Sequence, residues 1–283
     1  MLAIALGNFD GVHLAHRAVL KSAAAFHNSI CLLFRRHPAE VITGKAPDRL
    51  LNAVQTEQKI LACGIKQCVY LDFEQVRDME PERFFEEILI KELGADVLCC
   101  GYNYTFGRQK AGDVTTLKAL CEAHGIELCV ADEMDFEGES ISSSAIRRHI
   151  RAGEIEKANA MLGYPFFYEG EIIEGKRLGR TLGFPTINQL FGAEMVKPKP
   201  GVYASVVTLC GRTYKGLTNI GDNPTIGTDG FRSETYLFDF EKEVYGESAK
   251  TELYAFLRAE KKFESVATLT AQVLEDIERA KDV

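Results

Sequence analysis

The first 131 residues alternate short apolar runs with segments of helical periodicity, and this rhythm limits the possible folds more than any other feature of the chain. Alternating strands and helices predict βαβ units, and therefore a parallel sheet with helices on both faces. Such sheets bind their ligands at the carboxyl ends of the strands. The predicted strands are LAIALG, SICLLF, QCVYLDF, ADVLCCG and IELCVA, and the predicted helices span residues 14–26, 48–63, 80–93 and 113–124.

From about residue 166 the rhythm changes to strands at short spacing, which predicts an antiparallel barrel or sandwich followed by a helix at residues 265–281. Two domains agree with a length of 283 residues, because single cores rarely grow beyond roughly 250–300 residues. The segment SSSAIRRHIRAGEIEKANAMLG predicts one or two helices before the boundary, which we place near Gly163 to Pro165. The predicted domains are therefore residues 1–162 and 163–283.

The formal net charge of -8 argues against a protein that coats nucleic acid or an anionic membrane, because such binding relies on lysine and arginine. An anionic ligand must therefore meet a local basic cluster. Charge runs are more often solvated surface, so each cluster is a candidate and no more. The clusters are Arg35 to His37, Arg108 with Lys110, Arg147 to Arg151, and Lys176 with Arg177 and Arg180.

The eight cysteines form no CxxC pair and follow no metal-finger spacing. Several lie within apolar strand-like runs, which indicates buried, reduced thiols. No signal peptide precedes the first predicted strand, and no apolar stretch approaches the roughly 20 residues that span a bilayer. We therefore expect a cytoplasmic protein that binds neither nucleic acid nor membrane.

The stretch GNFDGVHLAH, from Gly7 to His16, combines the end of a strand, a glycine turn and two histidines at the start of a helix. Free backbone N–H groups and the helix dipole at such a position favour a phosphate. Histidines at i and i+3 share one helix face, so both can donate to one oxyanion as charge develops on a phosphoryl group. The alternatives are a metal pair, for which no third ligand is evident nearby, and two unrelated surface histidines.

Three further stretches, GYNYTFGRQKAGD, ISSSAIRRHI and GRTLGFPTIN, follow this motif along the chain. In this order they resemble the prokaryotic bifunctional riboflavin kinase/FMN adenylyltransferase family, also called FAD synthetases. The resemblance implies an α/β nucleotidyltransferase-type parallel sheet (Rossmann-like), followed by an antiparallel β-barrel riboflavin kinase domain with a C-terminal helix. It also implies two reactions that use ATP and Mg²⁺: phosphorylation of riboflavin to FMN, and adenylylation of FMN to FAD with release of pyrophosphate.

For the first domain, the resemblance implies that His13 and His16 steady the phosphates during adenylyl transfer. It also assigns a set of nucleotide- or phosphate-binding residues: Gly7, Phe9, Asp10, Asn103, Ser142, Ser143, Ser144 and Arg147. The chain departs from the family pattern at Ala15, where HxGH has glycine, and at Ser144, where threonine is usual. It also departs at FRRHP, where FxPHP is commoner. Without the resemblance, a serine triplet before a helix is a cap.

For the second domain, the resemblance implies an ATP site at Gly179, Gly183 and Pro185. Thr186 and Asn188 share one face of an extended segment, where their oxygens can bind Mg²⁺. Glu234 shares strand parity with Tyr236, Phe238 and Phe240, and the family's catalytic base matches this position. Arg258 is the residue expected beside the flavin. The alternatives are a turn with satisfied polar side chains at PTIN, a salt bridge at Glu234 and a surface charge at Arg258.

The sequence therefore predicts a bifunctional flavin-nucleotide enzyme whose ligands are riboflavin, FMN, FAD and ATP. Two alternatives stay open at this point. One is a riboflavin kinase whose first domain has lost adenylyl transfer, which Ala15 allows because its methyl group stands where the backbone meets the nucleotide. The other is a non-catalytic sensor of flavins or nucleotides that keeps the fold.

Overall fold

The structure is a computed structural model that describes residues 1–175, 183–222 and 230–282. The chain divides into two compact units, Met1–Ser143 and Ser144–Val283. The limit between these units falls inside a helix, about 20 residues before the boundary that the sequence predicts. The boundary between residues 162 and 163 stays a prediction.

The first unit is built on a five-stranded sheet in the order β3-β2-β1-β4-β5, and every neighbouring pair in it is parallel. Its strands are β1 (Leu2–Leu6), β2 (Asn28–Phe34), β3 (Gln67–Leu71), β4 (Val97–Gly101) and β5 (Glu127–Ala131). A small hairpin, β6 (Asp135–Phe136) with β7 (Glu139–Ser140), follows the sheet.

Helices connect the parallel strands. They are α1 (Leu14–Ala24), α2 (Pro38–Thr43), α3 (Ala53–Ala62), α4 (Phe73–Val76), α5 (Pro81–Arg83) and α6 (Val114–His124), with a π-helical stretch at Phe84–Glu92 and a 3₁₀ turn at Arg108–Lys110. The central strands are apolar throughout because both faces of the sheet are covered.

The order of the strands decides where a ligand can bind in the first unit. From β1 the chain passes to β2 and β3 on one side, and then crosses to β4 on the other side. The carboxyl ends of β1 and β4 therefore flank the point where the strand order reverses, and this is where open α/β sheets bind ligands.

The second unit holds a six-stranded antiparallel sheet in the order β8-β13-β10-β11-β12-β9. The strands are β8 (Phe166–Glu171), β9 (Thr186–Leu190), β10 (Gly201–Leu209), β11 (Arg212–Asp222), β12 (Phe231–Leu237) and β13 (Ser248–Arg258). The helices α7 (Ser143–Ala152) and α8 (Ile155–Leu162) precede the sheet, and a C-terminal helix (Val266–Lys281) follows it.

The two end strands of this sheet meet, so the sheet curls into a barrel. The backbone N–H of Ile173, just after β8, donates to the carbonyl of Asn188 on β9 at 2.9 Å. The Gln189 side chain donates to the carbonyl of Gly170 on β8 at 3.0 Å. The C-terminal helix packs Ile277 and Ala280 against the outer face of the sheet. The expected fold class is confirmed, with a parallel α/β sheet first and an antiparallel barrel with a C-terminal helix second.

Candidate functional site

The turn after β1 contains three residues in left-handed backbone conformations, which residues other than glycine rarely adopt. Phe9, Gly11 and Val12 all have positive φ, at 51°, 81° and 39°. Phe9 turns inward and is 1% exposed. A Cβ atom at Gly7 would lie 3.1 Å from the Phe9 ring, so glycine lets the ring pack under the end of the strand. Phe9 thus lies beneath the turn, and its predicted contact with a nucleotide stays a prediction.

The next residue, Asp10, ties the turn to two other parts of the first unit. Its carboxylate accepts the backbone N–H of Leu50 at 3.0 Å, and its carbonyl accepts the hydroxyl of Ser143 at 2.8 Å. The structure therefore brings Asp10 and Ser143, both predicted as phosphate-binding residues, into direct contact. In the structure, the carboxylate and the carbonyl of Asp10 hold the shape of the turn through these two hydrogen bonds.

The two histidines lie at the start of α1, where the sequence places them. His13 is the N-cap, and its Nδ1 accepts the backbone N–H of His16 at 3.3 Å. An accepting Nδ1 puts the proton of the neutral ring on Nε2. The two rings stack, with centroids 3.6 Å apart and an angle of 18° between their planes. The edge of Phe9 supports His16, with centroids 5.2 Å apart.

The surroundings of His16 favour its neutral form. Burial, followed by the neighbouring His13, lowers the pKa of His16 well below its ordinary value of 6.5. Its Nδ1 is buried and has no hydrogen bond among the described residues. The pair therefore presents two stacked rings at a helix N-terminus, with the neutral form of His16 favoured, which suits a ligand that brings its own negative charge.

Asn103 follows β4, the strand that pairs with β1. The two strands end at the same edge of the sheet, so Asn103 and the histidine turn both follow strands at the point of reversal. Of the serine triplet, Ser142 and Ser143 end the first unit, and Ser144 begins the second. Arg147 lies one turn further along α7 and is buried.

A cleft opens beside the same turn, at the carboxyl ends of β1 and β2. Asn8, Arg35, His37, Arg49 and Tyr70 are among the residues that line it. The sequence analysis proposed Arg35 and His37 as part of a basic cluster but missed Arg49 and Tyr70, because no local pattern joins them to the motif. The third member of the cluster, Arg36, binds Glu40 and Glu74 at 3.0 and 2.8 Å.

In the second unit, strand pairing brings three predicted residues together. Asn188 on β9 is the register partner of Glu234 on β12, and Thr186 is the partner of Tyr236. Directly opposed residues of antiparallel strands project from the same face, with Cβ atoms about 4.5–5.5 Å apart. On the other side of Glu234 lies Asn219 of β11, which the sequence analysis did not single out.

Asn188 is held tightly beside Gly175. It is 4% exposed, and its Oδ1 has no hydrogen bond among the described residues. A Cβ atom at Gly175 would lie 2.7 Å from its Cγ and 2.8 Å from its Oδ1, so only glycine fits there without moving the amide. Gly175, Pro185, Thr186 and Asn188 line one cleft. Gly183 has a φ of 85° and is exposed, and Gly179 lies outside the described residues.

Glu234 is half-buried, and its carboxylate forms no hydrogen bond or ion pair within residues 1–175, 183–222 and 230–282. Its strand alternates as expected, with Ser233 and Thr235 buried inside the barrel and Glu234 and Tyr236 on the other face. A carboxylate without a cationic partner can accept a proton from a substrate.

Arg258, at the end of β13, is paired within the protein. Its Nε and Nη2 both lie 2.8 Å from Oδ2 of Asp276, a fully buried residue of the C-terminal helix. Its guanidinium also lies 5.6 Å from the Phe263 ring centroid. Arg258 therefore fastens the C-terminal helix to the barrel, and its contact with a flavin stays a prediction.

Comparison with known proteins connects the two units with known families. The FAD synthetase family matches residues 1–145, and the riboflavin kinase family matches residues 162–283. A bifunctional riboflavin kinase/FMN adenylyltransferase of Listeria monocytogenes is 35% identical, and the match covers 96% of this chain and 89% of that protein. The chain belongs to the bifunctional riboflavin kinase/FMN adenylyltransferase family. This confirms the family expected from the sequence motifs.

Other members of this family match the chain with similar identity and coverage. The Bacillus subtilis protein of the same name is 32% identical over 98% of this chain and 90% of its own length. The Escherichia coli protein is 31% identical over 96% and 90%. A solved structure described as a macrolide-efflux protein from Streptococcus pneumoniae superposes with a TM-score of 0.90 at 28% identity, over 100% of this chain and 94% of that one. Among the described residues, no helix is both long enough and apolar enough to cross a membrane.

Proposed function

We propose that this chain makes FMN from riboflavin in its second domain and FAD from FMN in its first, with ATP as the second substrate of each reaction. Family membership, with one family matched on each domain, carries this proposal. The proposed boundary between residues 162 and 163 is supported by the riboflavin kinase match, which begins at residue 162. The word efflux comes from the name of the Streptococcus pneumoniae protein, whereas the relatives with higher identity are named for the two flavin activities.

In the first domain, the phosphates of ATP bind at the N-terminus of α1. The Nε2–H group of His13 and the ring of His16 donate to oxygens of the triphosphate. Free N–H groups and the helix dipole at this end add to the attraction. As the phosphate of FMN attacks the α-phosphate, charge grows on the phosphoryl oxygens, and donors already in place stabilise it. Pyrophosphate leaves, and the family resemblance assigns its binding to Arg147 and the Ser142–Ser144 segment.

The rest of the nucleotide pocket is Gly7, Asp10 and Asn103, because these residues follow the strands that flank the point of reversal. The cleft lined by Arg35, His37 and Arg49 adjoins the same turn. Its basic side chains suit the phosphate of FMN, and the ring of Tyr70 offers an aromatic wall. The two substrates thus reach the same strand ends from different sides.

In the second domain, Glu234 is the general base. Its carboxylate takes the proton of the ribityl hydroxyl of riboflavin as that oxygen attacks the γ-phosphate of ATP. Its lack of an ion-pair partner among the described residues leaves it able to accept this proton. Gly179, Gly183 and Pro185 hold the nucleotide, and Arg258 lies near the flavin while it fastens the C-terminal helix.

The residues beside Glu234 fit a magnesium ion. Mg²⁺ prefers oxygen ligands, and the buried Oδ1 of Asn188 has no hydrogen bond among the described residues. Thr186, on the same face two residues earlier, adds a hydroxyl. Thr186 and Asn188 would hold the ion, which would neutralise part of the triphosphate charge. We extend the requirement for Mg²⁺ to adenylyl transfer as well. The eight free thiols support a cytoplasmic location.

One assay tests this function. The purified chain is incubated with riboflavin, ATP and Mg²⁺, and the flavins are separated by chromatography. We expect FMN to appear first and FAD to follow. FMN alone would favour a kinase whose first domain is inactive, and neither product would favour a binding protein. Omitting Mg²⁺ in a parallel sample should abolish both products.

A further inference from the structure

Four of the eight cysteines form a single row across the parallel sheet of the first unit. Cys68 pairs in register with Cys31, Cys31 pairs with Ala5, Ala5 pairs with Cys99, and Cys99 pairs with Cys129. Register partners of parallel strands project from the same face of the sheet. The row therefore places thiols side by side on β3 and β2, and again on β4 and β5. Neither proposed reaction uses them.

The pair on β2 and β3 has the geometry of a bond that can close. Neighbouring strands run about 4.8 Å apart, and a disulfide accepts Cα atoms between about 4.4 and 6.8 Å apart. Cys31 is fully buried, whereas Cys68 lies on the edge strand and is 9% exposed. Both thiols are buried, but Cys68 is the less enclosed of the two, so a small oxidant that enters at the edge of the sheet meets Cys68 first.

The two thiols also differ in charge. A hydrogen bond from Cys31 lowers the pKa of Cys68, and burial raises the pKa of Cys31 well above its ordinary value. The thiolate is the reactive form of cysteine, and the hydrogen bond favours it on Cys68, the less enclosed member of the pair. A sensitive thiol beside a second cysteine is the arrangement that redox-responsive proteins use.

We propose that Cys31 and Cys68 are a site of reversible oxidation by hydroperoxides. The Cys68 thiolate attacks the peroxide, an S–O bond forms and the O–O bond breaks, and the departing hydroxide or alkoxide takes a proton from solvent to leave as water or an alcohol. The Cys31 sulfur then attacks the sulfenic sulfur, the S–S bond forms, and water leaves with the Cys31 proton. Two thiols are oxidised to one disulfide while one peroxide is reduced, and a thiol reductant reverses the step.

The site lies below the cleft of the first unit. β2 leads from Cys31 to Phe34 and Arg35, β3 leads from Cys68 to Tyr70, and these three residues line the cleft. A covalent bond between the two strands therefore fixes the spacing of the strands that supply this wall. This inference concerns the thiols alone and does not depend on the reaction proposed for the cleft.

The test maps the thiols of the full-length chain. The protein is treated with a small excess of hydrogen peroxide, blocked with N-ethylmaleimide, digested and examined by mass spectrometry. We expect a disulfide-linked peptide pair that contains Cys31 and Cys68, and recovery of both alkylated cysteines after dithiothreitol. Cys129→Ser, which removes the edge thiol on the opposite side of the sheet, should leave this product unchanged, and Cys68→Ser should abolish it.

Three results would overturn the proposal. Both cysteines could stay alkylatable at a peroxide excess that oxidises other thiols of the chain. Cys68 could be converted to sulfinic acid while Cys31 stays a thiol. The disulfide could instead join Cys31 to Cys63, the other thiol in its surroundings. Because the mapping is done on the unaltered chain, a variant that fails to fold does not affect these outcomes.

Discussion

Gly175→Ala is the substitution that tests the geometry of the second site most sharply. The new Cβ atom would lie 2.7 Å from Cγ and 2.8 Å from Oδ1 of Asn188, whereas ordinary contacts begin at 3.4 Å. The amide must therefore move by more than half an ångström. It cannot swing into solvent at little cost, because Asn188 is buried on β9, where the segment after β8 packs against it. A misplacement of about 1 Å at a reacting centre can cost on the order of 10²-fold in rate.

We expect riboflavin phosphorylation to fall between roughly tenfold and 10²-fold in this variant, with a higher Mg²⁺ concentration needed for half-maximal rate. The assay follows FMN formation from riboflavin across a magnesium titration. The matched control is Gly170→Ala in the same unit, where the new Cβ atom meets only the Leu190 carbonyl at 3.6 Å. FAD formation from supplied FMN should be unchanged in both. If the two variants phosphorylate riboflavin within threefold of each other, the role given to Asn188 is wrong.

Two further predictions concern folding. The pKa of His16 is lowered in the folded state, so its neutral ring contributes stability above pH 6.5 that is lost as the pH falls through the folded-state value. Between pH 7 and pH 5, the melting temperature of His16→Gln should therefore fall less than that of the unaltered chain, as followed by circular dichroism. An equal fall in both would contradict the assignment. A fragment of residues 144–283 should melt at a higher temperature than one of residues 161–283, because Asn159 bonds to both Leu253 and Phe166 at 2.8 and 2.7 Å. Equal melting temperatures would mean that α8 adds nothing to the second domain.

The sequence predicted the fold well where its patterns of apolar and polar residues extend over a whole strand or helix. Strands covered on both faces, such as β1 and β2, give continuous apolar runs, and the half-covered β12 alternates. The hairpin of β6 and β7 was missed, because strands of two residues are too short to show any period.

The site was predicted as separate residues and not as an arrangement. Asn188 and Glu234 were both chosen from the sequence, but 45 residues separate them along the chain, and only the pairing of β9 with β12 makes them neighbours. Arg258 was expected beside a flavin, and its bond to the buried Asp276 could not be foreseen, because it depends on how the C-terminal helix docks on the barrel. Local sequence patterns encode helices and strands, whereas contacts between residues distant along the chain depend on tertiary packing.

The central claim is that two independent sites share one chain, and both half-reactions measured on two variants test it most directly. His16→Ala should slow the conversion of supplied FMN to FAD by about 10²- to 10³-fold and leave riboflavin phosphorylation intact. Glu234→Gln should do the reverse, with phosphorylation reduced by about 10²-fold or more. Thermal melting at pH 7 checks that both preparations are folded, and His16→Ala should melt somewhat lower than the unaltered chain because it removes a ring that packs on His13 and Phe9. If either variant loses both activities equally while it stays folded at the assay temperature, the two reactions share a site and the account of two sites is contradicted.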